Sequence, residues 1–235
     1  MRMPAKLYYG DLLSSDPYIK KRLGVYLELL KPYLKKGVKI LDIGGYTADF
    51  LTLLPQDVKY FVADFDKEAL KIAKERGTVT QTVNLDRDFQ KIFPKERFDI
   101  VILTEVLEHL IDPASVLIHA KQLLKEDGLM LISLPNENTI YHRIMSLLGF
   151  GIDSFAFKLY KHLHMPTITQ SRNFVSKHLK IIKETYWYHV GFTATRTQWL
   201  SKITKLVPDS VWQSLAQNFP SLFARGVVFL CQKKI

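Results

Sequence analysis

Glu105, Glu108 and His109 stand three and four residues apart. On a helical turn those spacings bring the three side chains onto one face. Two carboxylates and an imidazole so placed can ligate a divalent cation, or hold His109 as a general base. The plainer use of Glu108 and His109 is to cap and brace the turn. The sequence alone assigns no metal to this face. A second group is His162 and His164 in KLYKHLHMP. A neutral imidazole there can take the proton of an attacking hydroxyl, or tie its loop to the backbone.

Other residues suit the binding of a polar ligand. Asp42 is followed by Gly44, Gly45 and Tyr46 in VKILDIGGYTADF. A glycine turn lets a ligand approach the backbone closely. The N-terminus of a helix beginning near Thr47-Ala48-Asp49 can receive a carboxylate, and Asp42 can accept from an amino group. This is not the dinucleotide fingerprint, because Tyr46 and Asp49 occupy its second and third glycine positions. Asp64, with Phe65 beside it, lies 20 residues after Gly44, where an acid can accept both hydroxyls of a ribose. Asp66 suits a helix N-cap. Asn84-Leu85 ends a third apolar run and can read an adenine edge, or form a solvated turn. Thr104 and Glu105 end a fourth.

Strands are needed to bring these positions together. VKILDI, KYFVADF, TVTQTVNL, FDIVILT and GLMLISLP are short apolar runs, interleaved with TADFLTLLP, DKEALKIAKERG and PASVLIHAKQLLKEDG. The alternation predicts a parallel sheet with crossover helices. Residues 1–35 read as a helical extension, with Tyr18, Leu23, Tyr26, Leu27, Leu30 and Leu34 at helical spacing. Residues 36–138 form the ligand-binding core. Residues 139–235 hold elaborations: a helix in ENTIYHRIMSLLGFG, a second in TITQSRNFVSKHL, and late strands KIIKETYWYHV and GVVFLCQKK around an aromatic, basic insertion at 192–224. One domain is expected, because no linker interrupts the chain.

Charge divides the chain. The net +10 resides wholly in residues 139–235, with 13 lysines and arginines against three acids. A solvated basic surface, an anionic acceptor, a membrane surface and a nucleic acid all fit this excess. The Trp199, Trp212, Phe219 and Phe223 series adds an apolar component, as a lid, a peripheral membrane contact or core packing. With one cysteine, Cys231, no internal disulfide forms, and a cytoplasmic setting is expected. No signal peptide or membrane-spanning run is seen.

Residues 36–138 resemble the class I S-adenosylmethionine (SAM) methyltransferases of the type 11/type 23 kind. The resemblance rests on ILDIGGYTADF, VADFD, TEVLEHL, LLKEDG and SLPN in that order. It implies a Rossmann-like α/β fold: a seven-stranded, mostly parallel sheet with a reversed last strand and helices on both faces. SAM would lie across the first two strand ends. Asp42, Gly44, Gly45 and Tyr46 would line its methionine side, and Asp64 and Phe65 its ribose side. Asn84 and Leu85 would meet the adenine, with Thr104 and Glu105 near the sulfonium. His109 and His164 would be the catalytic histidines. The family usually carries glycine where Tyr46 and Ala48 stand, so a SAM-fold binding protein without catalysis remains an alternative, as does an RNA-directed methyltransferase. The favoured reading is transfer, most simply to oxygen, on a small-molecule, lipid-like or glycan acceptor. Nucleic acid is the less favoured partner, and oligomeric state is not legible.

Overall fold

The computed structural model describes residues 17–149, 162–188 and 206–234. Its centre is a seven-stranded sheet. Helix α1 (Pro17–Leu30) leads to β1 (Lys39–Ile43), β2 (Lys59–Asp64), α2 (Lys67–Glu75), β3 (Val79–Thr82), β4 (Phe98–Thr104), α3 (Pro113–Leu123) and β5 (Leu124–Pro135). There follow α4 (Ile140–Leu147), α5 (Ile168–His178), β6 (Leu179–Trp187), α6 (Asp209–Asn218), α7 (Pro220–Phe223) and β7 (Gly226–Lys233). The strand order is β3-β2-β1-β4-β5-β7-β6. β7 runs antiparallel to both β5 and β6, and the other pairings are parallel. The reversed last strand and the Rossmann-like layering match the expectation.

Strand composition follows from burial on two faces. Along β1 and β4, Leu41, Ile43, Val101 and Leu103 enter the core on one side of the sheet. Ile40, Ile100 and Ile102 enter the core on the other, with Tyr26, Leu29 and Leu30 of α1. Alternate residues face opposite ways, so a strand covered on both sides must be apolar throughout. Polar residues return where the strands end: Asp42 pairs in register with Val62, and Thr104 with Ser133. Sequence order reverses between β1 and β4, which opens a crevice beyond the carboxyl ends of the strands.

Three local differences from the sequence reading have physical causes. TADFLTLLP forms only a 3-10 turn, Asp49–Leu53, preceded by Ala48 in the left-handed region at φ 61°; Pro55 then stands too near for a longer helix. LLKEDG does not extend α3, because Leu124 turns extended and pairs with Phe98. The turn carrying Glu108 and His109 is also 3-10, Leu107–His109. Of the 192–224 insertion, residues 192–205, including Trp199, lie outside the described residues. The remainder holds α6 and α7, where Trp212 and Phe223 pack on the core and Phe219 stays exposed.

Asp66 is the N-cap of α2, its Oδ1 accepting the backbone N–H groups of Glu68 at 2.9 Å and Ala69 at 3.0 Å. Asp66→Ala is expected to cost about 0.5–2 kcal/mol of stability, read as a lower urea midpoint at unchanged slope.

Candidate active site

The turn after β1 leaves no room for side chains at its glycines. Gly44 has φ 76°, and a Cβ on it would lie 2.3 Å from a methyl of Val106. A Cβ on Gly45 would lie 2.5 Å from the carboxyl carbon of Asp42. Tyr46 and Ala48 have φ 48° and 61°. Two side-chain-bearing residues therefore hold a left-handed backbone that glycine adopts freely, at roughly 1–2 kcal/mol each. Arg76, the C-cap of α2, braces this turn through a 2.7 Å hydrogen bond to the Thr47 carbonyl.

Two buried carboxylates face the turn. Asp42 accepts the Tyr60 hydroxyl at 2.7 Å. Burial is the largest influence on it; the Tyr60 bond opposes burial, the charges of Asp64 and Asp49 add to it, and the carboxyl is pushed up to about 7. Asp64 accepts the backbone N–H of Tyr46 at 3.1 Å and of Asp66 at 2.9 Å, one on each oxygen. Burial again outweighs these bonds and raises its carboxyl above the usual range. Each oxygen keeps a lone pair for a ligand. Phe65 is 63% exposed at the end of β2. Asn84 is exposed and closes a turn by accepting Asp86 N–H at 3.0 Å. Leu85 packs at the core margin, and Thr104 ends β4 half-buried.

Glu105 has φ 55°. Its Oε1 accepts the Ser133 hydroxyl at 2.6 Å, and its Oε2 lies 3.2 Å from the Arg22 guanidinium on α1. Glu105 is thus directed away from the group that sequence spacing assigned it. Glu108 and His109 do come together, and His162 joins them. Ligand atoms of the three lie within 4.8 Å of one another. Both imidazole Nε2 atoms are 4.0 Å from Glu108 Oε1, and the two rings meet edge to face at 4.8 Å. Glu108 is 1% exposed. Neither of its carboxylate oxygens has a hydrogen-bond partner among the described residues. Burial, then the charge of Glu105, pushes its carboxyl well above the usual range.

The far ring nitrogen of His162, Nδ1, lies 3.1 Å from Glu137 Oε1. Burial raises the Glu137 carboxyl, but the His162 bond and the Arg225 charge outweigh it and leave it below the usual range. His164 donates through Nε2 to the Leu110 carbonyl at 2.9 Å, so one ring nitrogen ties the loop, as the plainer reading had it. Beside Glu108 lies a pocket of about 400 Å³, walled by Leu107, Leu134, Met165, Phe174 and His164. Ser171 also borders it, with a buried hydroxyl that lacks a partner among the described residues. Sequence reasoning missed Tyr60, Arg22, Glu137 and Ser171. Tyr60, Arg22 and Glu137 each act through a partner far away in the chain, and Ser171 meets the pocket only through packing; local spacing carries no signal of either.

A family model described as "Methyltransferase domain" matches residues 17–186. The Ubiquinone biosynthesis O-methyltransferase of Glaesserella parasuis is 36% identical over 112 residues, 43% of this chain and 46% of that protein. The corresponding protein of Roseobacter denitrificans is 31% identical over 131 residues, 52% and 50% of the two chains. The chain thus spans about half the length of these curated relatives. Among solved structures, N-methyltransferase NodS of Bradyrhizobium japonicum, in complex with S-adenosyl-l-homocysteine, superposes with a TM-score of 0.62 at 13% identity, covering 98% and 95% of the chains. A SAM-dependent methyltransferase of Archaeoglobus fulgidus gives 0.62 at 16%, covering 96% and 100%. At these identities the likeness is one of fold.

The raised Asp42 carboxyl sets a pH dependence for the ligand-free protein. The unfolded chain ionises this group near 3.8 and the folded protein near 7, so the folded state binds more protons between those values. The resulting stabilisation is complete below about pH 4 and is lost as pH rises through 7. Asp42→Asn is expected to flatten the fall in urea midpoint across that window. A slope equal to that of the unsubstituted protein refutes the assignment.

Proposed function

Since this chain belongs to the methyltransferase-domain family, whose methyl donor is SAM, we propose that it methylates an oxygen of a small, largely apolar acceptor seated beside Glu108. The observation that carries this reading is the buried Glu108 carboxylate, unpartnered among the described residues and set between two imidazoles and an apolar pocket. Pockets of this kind bury an apolar body and orient it by a few polar groups. The relatives named for ubiquinone biosynthesis O-methylation support oxygen as the acceptor atom.

When bound, SAM supplies a methyl group already activated by its sulfonium, so the chain has mainly to align and to exclude water. Asp42 would meet the ammonium of the methionine part, and Asp64 the ribose hydroxyls. Gly44 and Gly45 leave the backbone open to close approach. Tyr46 would cover the carboxyl end, Phe65 would flank the ribose side, Asn84 and Leu85 would meet the adenine, and Thr104 and Glu105 would line the sulfonium side.

The group at Glu108 also fits a divalent cation. A carboxylate and two imidazoles are a suitable donor set, and burying that carboxylate uncompensated is costly. Glu108, His109 and His162 would hold the ion, which lowers the pKa of a bound hydroxyl. In that arrangement His109 serves as a ligand. His164, at the pocket wall with Nε2 committed to Leu110, would take the acceptor's proton at Nδ1. Exposed Leu206 and Phe219 support peripheral contact of this stretch with a membrane surface from the cytoplasmic side. Among the described residues no helix is long and apolar enough to cross one.

Asp64→Ala should weaken SAM binding by about 1.5–3 kcal/mol, the worth of hydrogen bonds to a charged group; Asp66→Ala should leave binding unchanged by calorimetry. Failure to bind SAM or S-adenosylhomocysteine at millimolar concentration rules out transfer, and binding without turnover favours the non-catalytic alternative.

For the acceptor, radiolabelled SAM with cell extract should place label in lipid or apolar small-molecule fractions, and Glu108→Gln should abolish it. Label confined to protein or RNA rejects this acceptor class.

A further inference from the structure

Glu137 follows β5 in a turn that is pinned from three directions. The neighbouring Asn136 is 1% exposed. Its backbone N–H donates to the Arg225 carbonyl at 2.8 Å, its amide nitrogen donates to the Ala224 carbonyl at 2.9 Å, and its side-chain oxygen accepts from Asn138 N–H at 3.1 Å. The turn is thereby locked to the start of β7. Glu137 projects from it with one oxygen 3.1 Å from His162 Nδ1 and the other 3.7 Å from His142 Nε2. The Arg225 guanidinium lies 3.5 Å from that same His142 nitrogen. On its other side the His142 ring lies 2.9 Å from the Thr139 hydroxyl.

An ionised carboxylate only accepts hydrogen bonds. The nitrogen of His162 that faces Glu137 must therefore carry the ring's proton. In the neutral ring the proton-free nitrogen is then Nε2, the atom 4.0 Å from Glu108 Oε1. With Glu108 ionised, these are two electron-pair donors 4.0 Å apart, too far for a direct hydrogen bond and within the span of two ligands on one cation. Carboxylates behind metal-ligating histidines commonly set tautomer and ring orientation in this way.

We propose that Glu137 is the positioning residue for His162, fixing its Nδ1–H tautomer so that Nε2 completes a divalent-cation site with Glu108 and His109. This rests on the cation reading of the same site. The sequence is silent on it, because Glu137 and His162 are 25 positions apart and share no periodicity.

The test uses the full chain, with Zn²⁺ alone as the probe. Competition against a chromophoric chelator gives its affinity, and nitrogen-15 NMR of the imidazoles gives the tautomer. Glu137→Ala is expected to weaken Zn²⁺ binding by roughly 10–100-fold and to release His162 into mixed tautomers. Glu137→Gln, whose amide oxygen still accepts from Nδ1–H, should retain most of the affinity. Equal affinity in Glu137→Ala and the unsubstituted protein overturns the inference, as does an equal loss in both variants. Should either variant fail to fold, the unsubstituted protein still decides: a proton on His162 Nε2 overturns the proposal, and one on Nδ1 upholds it. Absence of Zn²⁺ uptake by the unsubstituted protein overturns the cation reading itself, whereas uptake with no effect of Glu137→Ala removes only the role of Glu137.

Discussion

Carboxylates held out of water at the carboxyl ends of parallel strands are the constraint around which this molecule is arranged. Asp42, Asp64 and Glu108 are each at most 5% exposed, and burial raises all three carboxyls. Such groups are costly to desolvate unless partners compensate them. Asp64 is compensated by two backbone N–H groups and Asp42 by one phenol. Glu108 has no hydrogen-bond partner among the described residues. The gradient of compensation parallels the proposed division of labour: a prepared cofactor end and an acceptor end that awaits a positive charge.

The backbone bears a related cost. Tyr46, Ala48 and Glu105 all have positive φ, and all three lie beyond the ends of β1 and β4. Strain of this kind persists only where surroundings over-determine it. Here the surroundings are Asp64 accepting from Tyr46, Arg76 on Thr47, and Ser133 and Arg22 on Glu105. The turn thus holds positive φ at Tyr46 and Ala48, positions without glycine.

The surroundings of Glu108 are assembled from distant segments. The 162–166 stretch donates two backbone N–H groups, of Leu163 and His164, to the Glu108 carbonyl. This contact brings His162 to Glu108 and closes one wall of the pocket. α1 reaches the same end of the sheet through Arg22, and its Lys21 pairs with Asp209 of α6 at 3.0 Å. The N-terminal helix and the late elements therefore meet the crevice together, which ties the basic half of the chain to the neutral half.

Much of the core was legible from residue order. Two-sided apolar runs specify central strands. Asp66 followed by a polar first turn specifies an N-cap, and the strand pattern puts Asp64 at the end of the second strand. These features depend on neighbours within a few residues, where backbone geometry alone decides who meets whom. The same logic overextended the turn at Thr47 into a helix and placed Glu105 with Glu108 and His109, because a helical turn was assumed where a 3-10 turn and an αL residue intervene. His162 at Glu108, Glu137 behind His162, Tyr60 on Asp42 and Arg22 on Glu105 were decided only by tertiary structure. Each pair joins residues at least 18 positions apart, and only packing of the sheet, its helices and its loops brings such partners within bonding distance.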